Sequence, residues 1–218
     1  MKKIIYTLSL LLITTFLFTG CKVKDTSLGI DFSNGNESSI NYDTSNPLVA
    51  LDIKNYGAII IELYPDVAPN TVNNFIYLVK QGFYDNNNFH RLMKGFVLQG
   101  GDPNGNGTGG PGYHIQGEFT SNNFTNNLKH EKGIVSMARA TNPNTAGSQF
   151  FIMLKTATNL DGNYAAFGKV VKGMDLIEKI EKNEQVENNT TGKLKNNITI
   201  KKAVVDTKGI TYSEPEKI

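Results

Sequence analysis

The spacing of short β-branched runs is the feature that most constrains how this chain can fold. Between residues 47 and 206 such runs occur at 48–53, 58–64, 96–99, 134–137, 150–154, 167–171 and 198–205, separated by clusters of Gly, Asn and Pro. Only two stretches have helical period instead. After Pro69, a residue suited to a first helical turn, Val72, Phe75, Ile76 and Val79 fall at i, i+3, i+4 and i+7, and the pattern stops at Gly82. The second runs over 174–182. A parallel α/β sheet would need strands and helices in alternation, and these do not alternate. The pattern therefore predicts a mainly β, closed antiparallel barrel capped by two α-helices, with a hairpin turning at Asn55-Tyr56-Gly57. About 160 residues suit one domain with one core.

The flanks read differently. Lys2 and Lys3 precede an apolar and hydroxyl run over 4–18, closed by Thr19, Gly20 and Cys21. Those are the n-region and h-region of a secretory signal, and the run falls short of the roughly 20 apolar residues of a membrane span. Phe18-Thr19-Gly20-Cys21 resembles a bacterial lipobox, with Phe18 where that pattern prefers Leu. Cys21 is the only cysteine, so no internal disulfide can form, and its place at the end of the h-region predicts lipidation there. The expectation is a signal peptide over 1–20 and an exported protein, anchored by lipidated Cys21 to the extracytoplasmic face of the membrane. Residues 21–46, polar with scattered single hydrophobes, read as a flexible tether, and 207–218 as a frayed tail.

Cleavage at Cys21 would remove Lys2 and Lys3, leaving 20 basic side chains of the original 22 against 20 acidic ones. A neutral chain without a basic, aromatic-laced patch excludes a nucleic-acid partner. Gly105-Asn106-Gly107-Thr108-Gly109-Gly110 fits the dinucleotide fingerprint in letters only. That fingerprint needs a helix beginning inside it, whereas Pro111 and Gly112 follow. His90, His114 and His130 lack the spacing of a helical metal site. Ser136 and Ser148 lie outside the G-x-S-x-G context of a nucleophile elbow. No cofactor and no metal are expected.

The segment that points to chemistry is Phe89-His90-Arg91-Leu92-Met93-Lys94-Gly95-Phe96-Val97-Leu98-Gln99-Gly100-Gly101-Asp102. Its alternation sets Arg91 and Gln99 among apolar neighbours on short strands, where a guanidinium is costly unless it is paired or used. Arg91 could tie strands together through a carboxylate, or it could serve a site. The residues alone leave both open.

This segment closely resembles the F-H-R-x-x-x-G-F-x-x-Q-G-G-D motif of cyclophilins. Blocks 107–113 (GTGGPGY), 133–139 (GIVSMAR), 147–152 (GSQFFI), 160–162 (LDG) and 167–170 (FGKV) agree with that family in order and spacing, across essentially the whole domain. The resemblance implies an eight-stranded barrel, a peptidyl-prolyl cis/trans isomerase and, as partners, proline-containing segments of exported proteins, with the chain monomeric. It assigns Arg91, Gln99 and Phe96 to catalysis. It assigns Val97, Ala138, Arg139 (through its backbone), Gln149, Phe151, Leu160 and Tyr164 to substrate binding. Lys94, Arg139, Tyr164 and Asn159 depart from common family choices; Asn159 stands where an aromatic often contacts cyclosporin. A holdase of the same fold that clamps proline segments without turnover is the alternative, and Arg91 argues against it, since binding alone would not require that residue. A barrel storing a small hydrophobic ligand would need an open apolar interior.

Overall fold

The computed structural model describes residues 24–25, 30–33 and 35–218. The expected signal peptide and Cys21 lie outside the described residues. Two short strands, β1 (Lys24–Asp25) and β2 (Ile30–Asp31), pair with each other ahead of the barrel. Then follow β3 (Leu48–Ile53), β4 (Gly57–Leu63), α1 (Pro69–Lys80), β5 (Asn87–Met93), β6 (Val97–Gly100), β7 (Ile134–Met137) and β8 (Phe150–Met153). The chain ends with β9 (Ala166–Lys172), α2 (Met174–Asn183), β10 (Val186–Asn188) and β11 (Lys193–Asp206).

Eight antiparallel strands run in the order β11-β3-β4-β9-β7-β8-β6-β5, and β5 pairs back onto β11. Closure leaves none of these eight strands with a free edge to template another strand. β11 achieves it with its 14 residues, meeting β5 through its first half and β3 through its second, while β10 adds a short flap on β11. The expected hairpin joins β3 to β4, with Ile53 opposite Gly57 and the left-handed residues Asn55 and Gly57 making the turn.

Alternation on β3 and β4 sends Val49, Leu51, Ile53, Ile59, Ile61 and Leu63 into the barrel. Both helices cap that interior: Val72, Phe75, Ile76 and Val79 of α1 and Ile177 and Ile180 of α2 join the same cluster. Phe75 is its hub, 5.0–5.3 Å from the rings of Tyr84, Phe150 and Phe167. α1 has no side-chain cap of its own, and Pro69 supplies only a first turn. Its free amides are met by the buried carboxylate of Glu118, which accepts from Asn70 N, Thr71 N and Thr71 Oγ1 at 3.0, 2.7 and 2.6 Å.

The structure corrects both flanks. Residues 30–33 and 35–46 are not a free tether: Ile30, Phe32 and Ile40 are buried against the outer face of the sheet, on Leu48, Ala50, Ala58, Ile60 and Val204. Those outward side chains are apolar, so β3 and β4 are covered on both faces and read as near-continuous apolar runs. Ile40 N donates to Asp206 Oδ2 at 2.8 Å, and Asn36 and Ser38 exchange backbone bonds with Val205. The final segment does not fray either. Tyr212 packs on the core and Pro215 is buried. Glu216 exchanges two hydrogen bonds with Asn70, and Ile218 exchanges two backbone bonds with His114. Single hydrophobes suffice when the partner face is already built.

Among the described residues, no helix is long and apolar enough to cross a membrane. The glycine-rich stretch 105–112 is a loop, with Gly105, Gly107 and Gly112 at positive φ.

Candidate active site

The site lies outside the barrel, on the face of β5, β6, β7 and β8 turned away from the core. Leu98, Phe150 and Ile152 point inward, whereas Val97, Phe151 and Met153 belong to a separate outer cluster with Leu160, Phe96, Ala138 and Tyr164. Register completes the arrangement: Arg91 on β5 stands opposite Gln99 on β6, and Gln99 opposite Phe151 on β8. Two cross-strand steps thus bring a cation, an amide and a ring side by side.

A cavity of about 200 Å³ opens there, lined by Arg91, Phe96, Val97, Gln99, Ala138, Arg139, Phe151, Leu160 and Tyr164. Nine of the ten site residues expected inside the domain share this one pocket. The tenth, Gln149, lines a larger groove of about 750 Å³ beside it, to which Gln99, Ala138 and Arg139 also contribute.

A chain of amides fixes the guanidinium. Arg91 Nη1 donates to Gln99 Oε1 at 2.9 Å, Gln99 Nε2 donates to Gln149 Oε1 at 2.9 Å, and Gln149 Nε2 donates to the carbonyls of Gly107 and Gly109. Arg91 Nε donates to Thr191 O at 2.8 Å. Among the described residues no carboxylate forms an ion pair with Arg91, so the strand-tie reading lacks the partner it requires. Burial pushes the Arg91 pKa down from its usual value, and nearby Tyr164 opposes the shift. The cation is half desolvated, oriented and uncompensated, and Nη2 has no hydrogen-bond acceptor among the described residues. Such a group can donate to a ligand at little reorganisation cost.

The loop that accepts from Gln149 is itself held by Asp102, whose carboxylate accepts from the backbone N–H groups of Asn104, Asn106 and Gly107. Burial alone would raise its pKa; those three bonds and nearby His90 outweigh it and hold the carboxyl below its usual value. A Cβ at Gly109 would lie 2.0 Å from Asp102 Oδ1, so only glycine lets the loop close over the carboxylate.

Sequence reasoning missed two features of the site. The first is the Arg139 side chain. It lies over the Tyr164 ring at 4.6 Å and the Phe119 ring at 5.1 Å, and donates to the carbonyls of Ala140, Thr141 and Asn163. It thereby forms a side wall common to the pocket and the groove. The second is His130, fully buried behind Phe151. Its Nδ1 lies 3.1 Å from Asp161 Oδ1 and its Nε2 3.1 Å from Ser136 Oγ, and the ring stacks near Phe151 at 6.2 Å. Because Nδ1 faces a carboxylate, it carries the proton of the neutral ring, and Ser136 donates to Nε2. Burial pushes the His130 pKa down, against the opposing pull of Asp161. Ser136 is wholly buried, so this Ser-His-Asp arrangement has no access to a substrate. It ties Leu160, through its neighbour Asp161, to β7, which Ala138 directly follows, and lies beneath Phe151 of β8. Spacing gave no hint of it, since the three residues meet only after folding.

Among the described residues no group of three or more His, Cys, Asp or Glu side chains could hold a metal ion.

Comparison with known proteins agrees with the fold. The family model described as cyclophilin type peptidyl-prolyl cis-trans isomerase/CLD matches residues 48–205. A peptidyl-prolyl cis-trans isomerase of Helicobacter pylori is 44% identical over 135 residues, 61% of this chain and 80% of the relative. Peptidyl-prolyl cis-trans isomerase B of Bacillus subtilis is 50% identical over 117 residues, 54% of this chain and 78% of the relative. The crystal structure of a cyclophilin type isomerase from Cryptosporidium parvum, determined in the presence of the dipeptide Ala-Pro, superposes with a TM-score of 0.65 at 36% identity. It covers 73% of this chain and 98% of that one.

Proposed function

The chain belongs to the cyclophilin-type peptidyl-prolyl cis/trans isomerase family, and from that premise we propose how its site turns over X-Pro bonds and where in the cell it does so. Rotation about X-Pro is slow because amide resonance sets a barrier of roughly 18–20 kcal/mol, although cis and trans differ little in free energy. No bond has to break. The catalyst need only bind the twisted amide better than either planar form.

The proline ring sits in the apolar pocket of Phe96, Val97, Phe151 and Leu160, leaving the preceding carbonyl free to swing. As the amide twists, its nitrogen loses conjugation and gains a lone pair. The Arg91 guanidinium donates to that nitrogen, a bond weak in the planar ground state and strong in the twisted one. Gln99 holds Arg91 in place, and Gln149 and the Ala138-Arg139 backbone keep the peptide extended. The observation that carries this reading is an oriented Arg91 cation with no counter-ion among the described residues, set against an apolar pocket of proline size. A protease-coupled isomerisation assay on an Ala-Pro peptide tests it. Catalysis by the wild type and its loss in Arg91→Ala are expected; a wild type that binds proline peptides without turnover would make the protein a holdase.

The cellular setting follows from the N-terminus. Lys2, Lys3, the apolar run and the lone Cys21 support export and lipid anchoring in a bacterial-type form, with proline-containing segments of exported proteins as clients. The anchor would hold the barrel close to the membrane surface, since packing on the barrel begins already at Ile30.

A further inference from the structure

Resting on the isomerase reading, we infer that the segment 212–218 is a fixed wall of the peptide groove, and that Ile218 selects aliphatic side chains in the substrate residues flanking proline. The segment crosses the start of α1 and is fastened at each step. Tyr212 packs on the core, Pro215 is buried, and Glu216 N donates to Asn70 Oδ1 at 2.8 Å while Asn70 Nδ2 donates to Glu216 O at 3.0 Å. Lys217 Nζ lies 4.6 Å from the Tyr77 ring centroid and 4.9 Å from that of Tyr113. Ile218 and His114 exchange backbone bonds at 2.9 and 3.2 Å, which adds Ile218 as a strand-like edge to the groove-lining segment.

So firmly held a backbone should bury its isoleucine if stability were the purpose. Instead Ile218 is 64% exposed and, with Ile210, is one of two large hydrophobics exposed among the described residues. It faces the groove of about 750 Å³ whose other walls are mostly glycines and polar side chains. That groove shares Gln99, Ala138 and Arg139 with the proline pocket, so a peptide seated by its proline continues into it. The occupant that gains most there is an aliphatic side chain laid on Ile218, because burying apolar surface against a wall already ordered leaves only the peptide to be ordered on binding.

The test uses two hexapeptides with the same Ala-Pro centre, one with Leu and one with Asp at all outer positions, and reads the ratio of their kcat/KM values in the full exported chain. Wild type should favour the Leu peptide by about 3- to 10-fold, the scale of a partly buried aliphatic contact. Ile218→Ala should lower that ratio about 3-fold and Ile218→Asp more, with the backbone pair to His114 intact because it needs no side chain. Freeing the segment with Asn70→Ala and Lys217→Ala together should lower it equally. A wild type active on both peptides whose ratio is the same in the Ile218 variants overturns this inference alone; a wild type active on neither overturns the isomerase reading as well.

Discussion

Replacing Arg91 by alanine separates a group that acts on the transition state from one that merely holds strands. Among the described residues the mutation removes two hydrogen bonds, to Gln99 Oε1 and Thr191 O, and no ion pair. The Thr191 end of that network is exposed, so water can replace the lost donor there, and the stability cost should be about 1 kcal/mol. In a domain of this size that is about 2–4 °C in Tm. The catalytic cost is larger. A charge-assisted bond made mainly to the twisted amide is worth about 1.5–3 kcal/mol. At 1.36 kcal/mol per decade this lowers kcat/KM about 10- to 150-fold. Arg91→Lys should recover little, since an ammonium cannot span Gln99 and Thr191 and still reach the substrate as the planar fork does. The assays are protease-coupled isomerisation of an Ala-Pro peptide at matched concentrations of folded protein, and thermal unfolding of each variant. A folded Arg91→Ala protein with near wild-type kcat/KM would refute the mechanism. A large fall in Tm with activity lost only in proportion would restore the strand-tie role.

Three further outcomes are expected. Burial lowers the pKa of His130, and of His90 likewise, so the folded state binds fewer protons than the unfolded one just below the unfolded histidine value of about 6.5. The stability they contribute is complete above that pH and is lost as pH falls below it; Tm measured from pH 7.5 to 5 should decline, and less steeply in His130→Gln. Glu118→Ala strips the buried cap from Asn70 and Thr71 and should cost about 2 kcal/mol or more, read as a Tm lowered by about 4–8 °C. Cys21→Ser should move the protein from the membrane fraction to the soluble one and abolish its labelling by a radioactive fatty acid; equal label in both proteins would exclude the anchor.

Sequence alone determined the elements whose signals are local. The hairpin of β3 and β4 follows from two β-branched runs around a left-handed turn, α1 from Pro69 and an apolar stripe, and the placement of Arg91 and Gln99 on short strands from the alternation of their segment. The eighth barrel strand, β5, was not legible as one of the runs, because Asn87-Asn88 opens it and it is defined by partners on either side rather than by β-branched content. β11 likewise begins at Lys193, five residues before its apolar run, since closure against β5 rather than propensity extends it. Tertiary structure alone decided the fate of the flanks. Hydrophobes too sparse to form a core of their own are buried once a finished barrel offers them an apolar outer face. The ties that hold them, Ile40 to Asp206 and Asn70 to Glu216, join residues 166 and 146 apart in sequence. The cap of α1 by Glu118, the Asp161–His130–Ser136 bridge under the pocket and the wall made by the Arg139 side chain have the same origin. Local propensity acts over a few residues, whereas these contacts exist only after the barrel has brought distant segments within hydrogen-bonding distance.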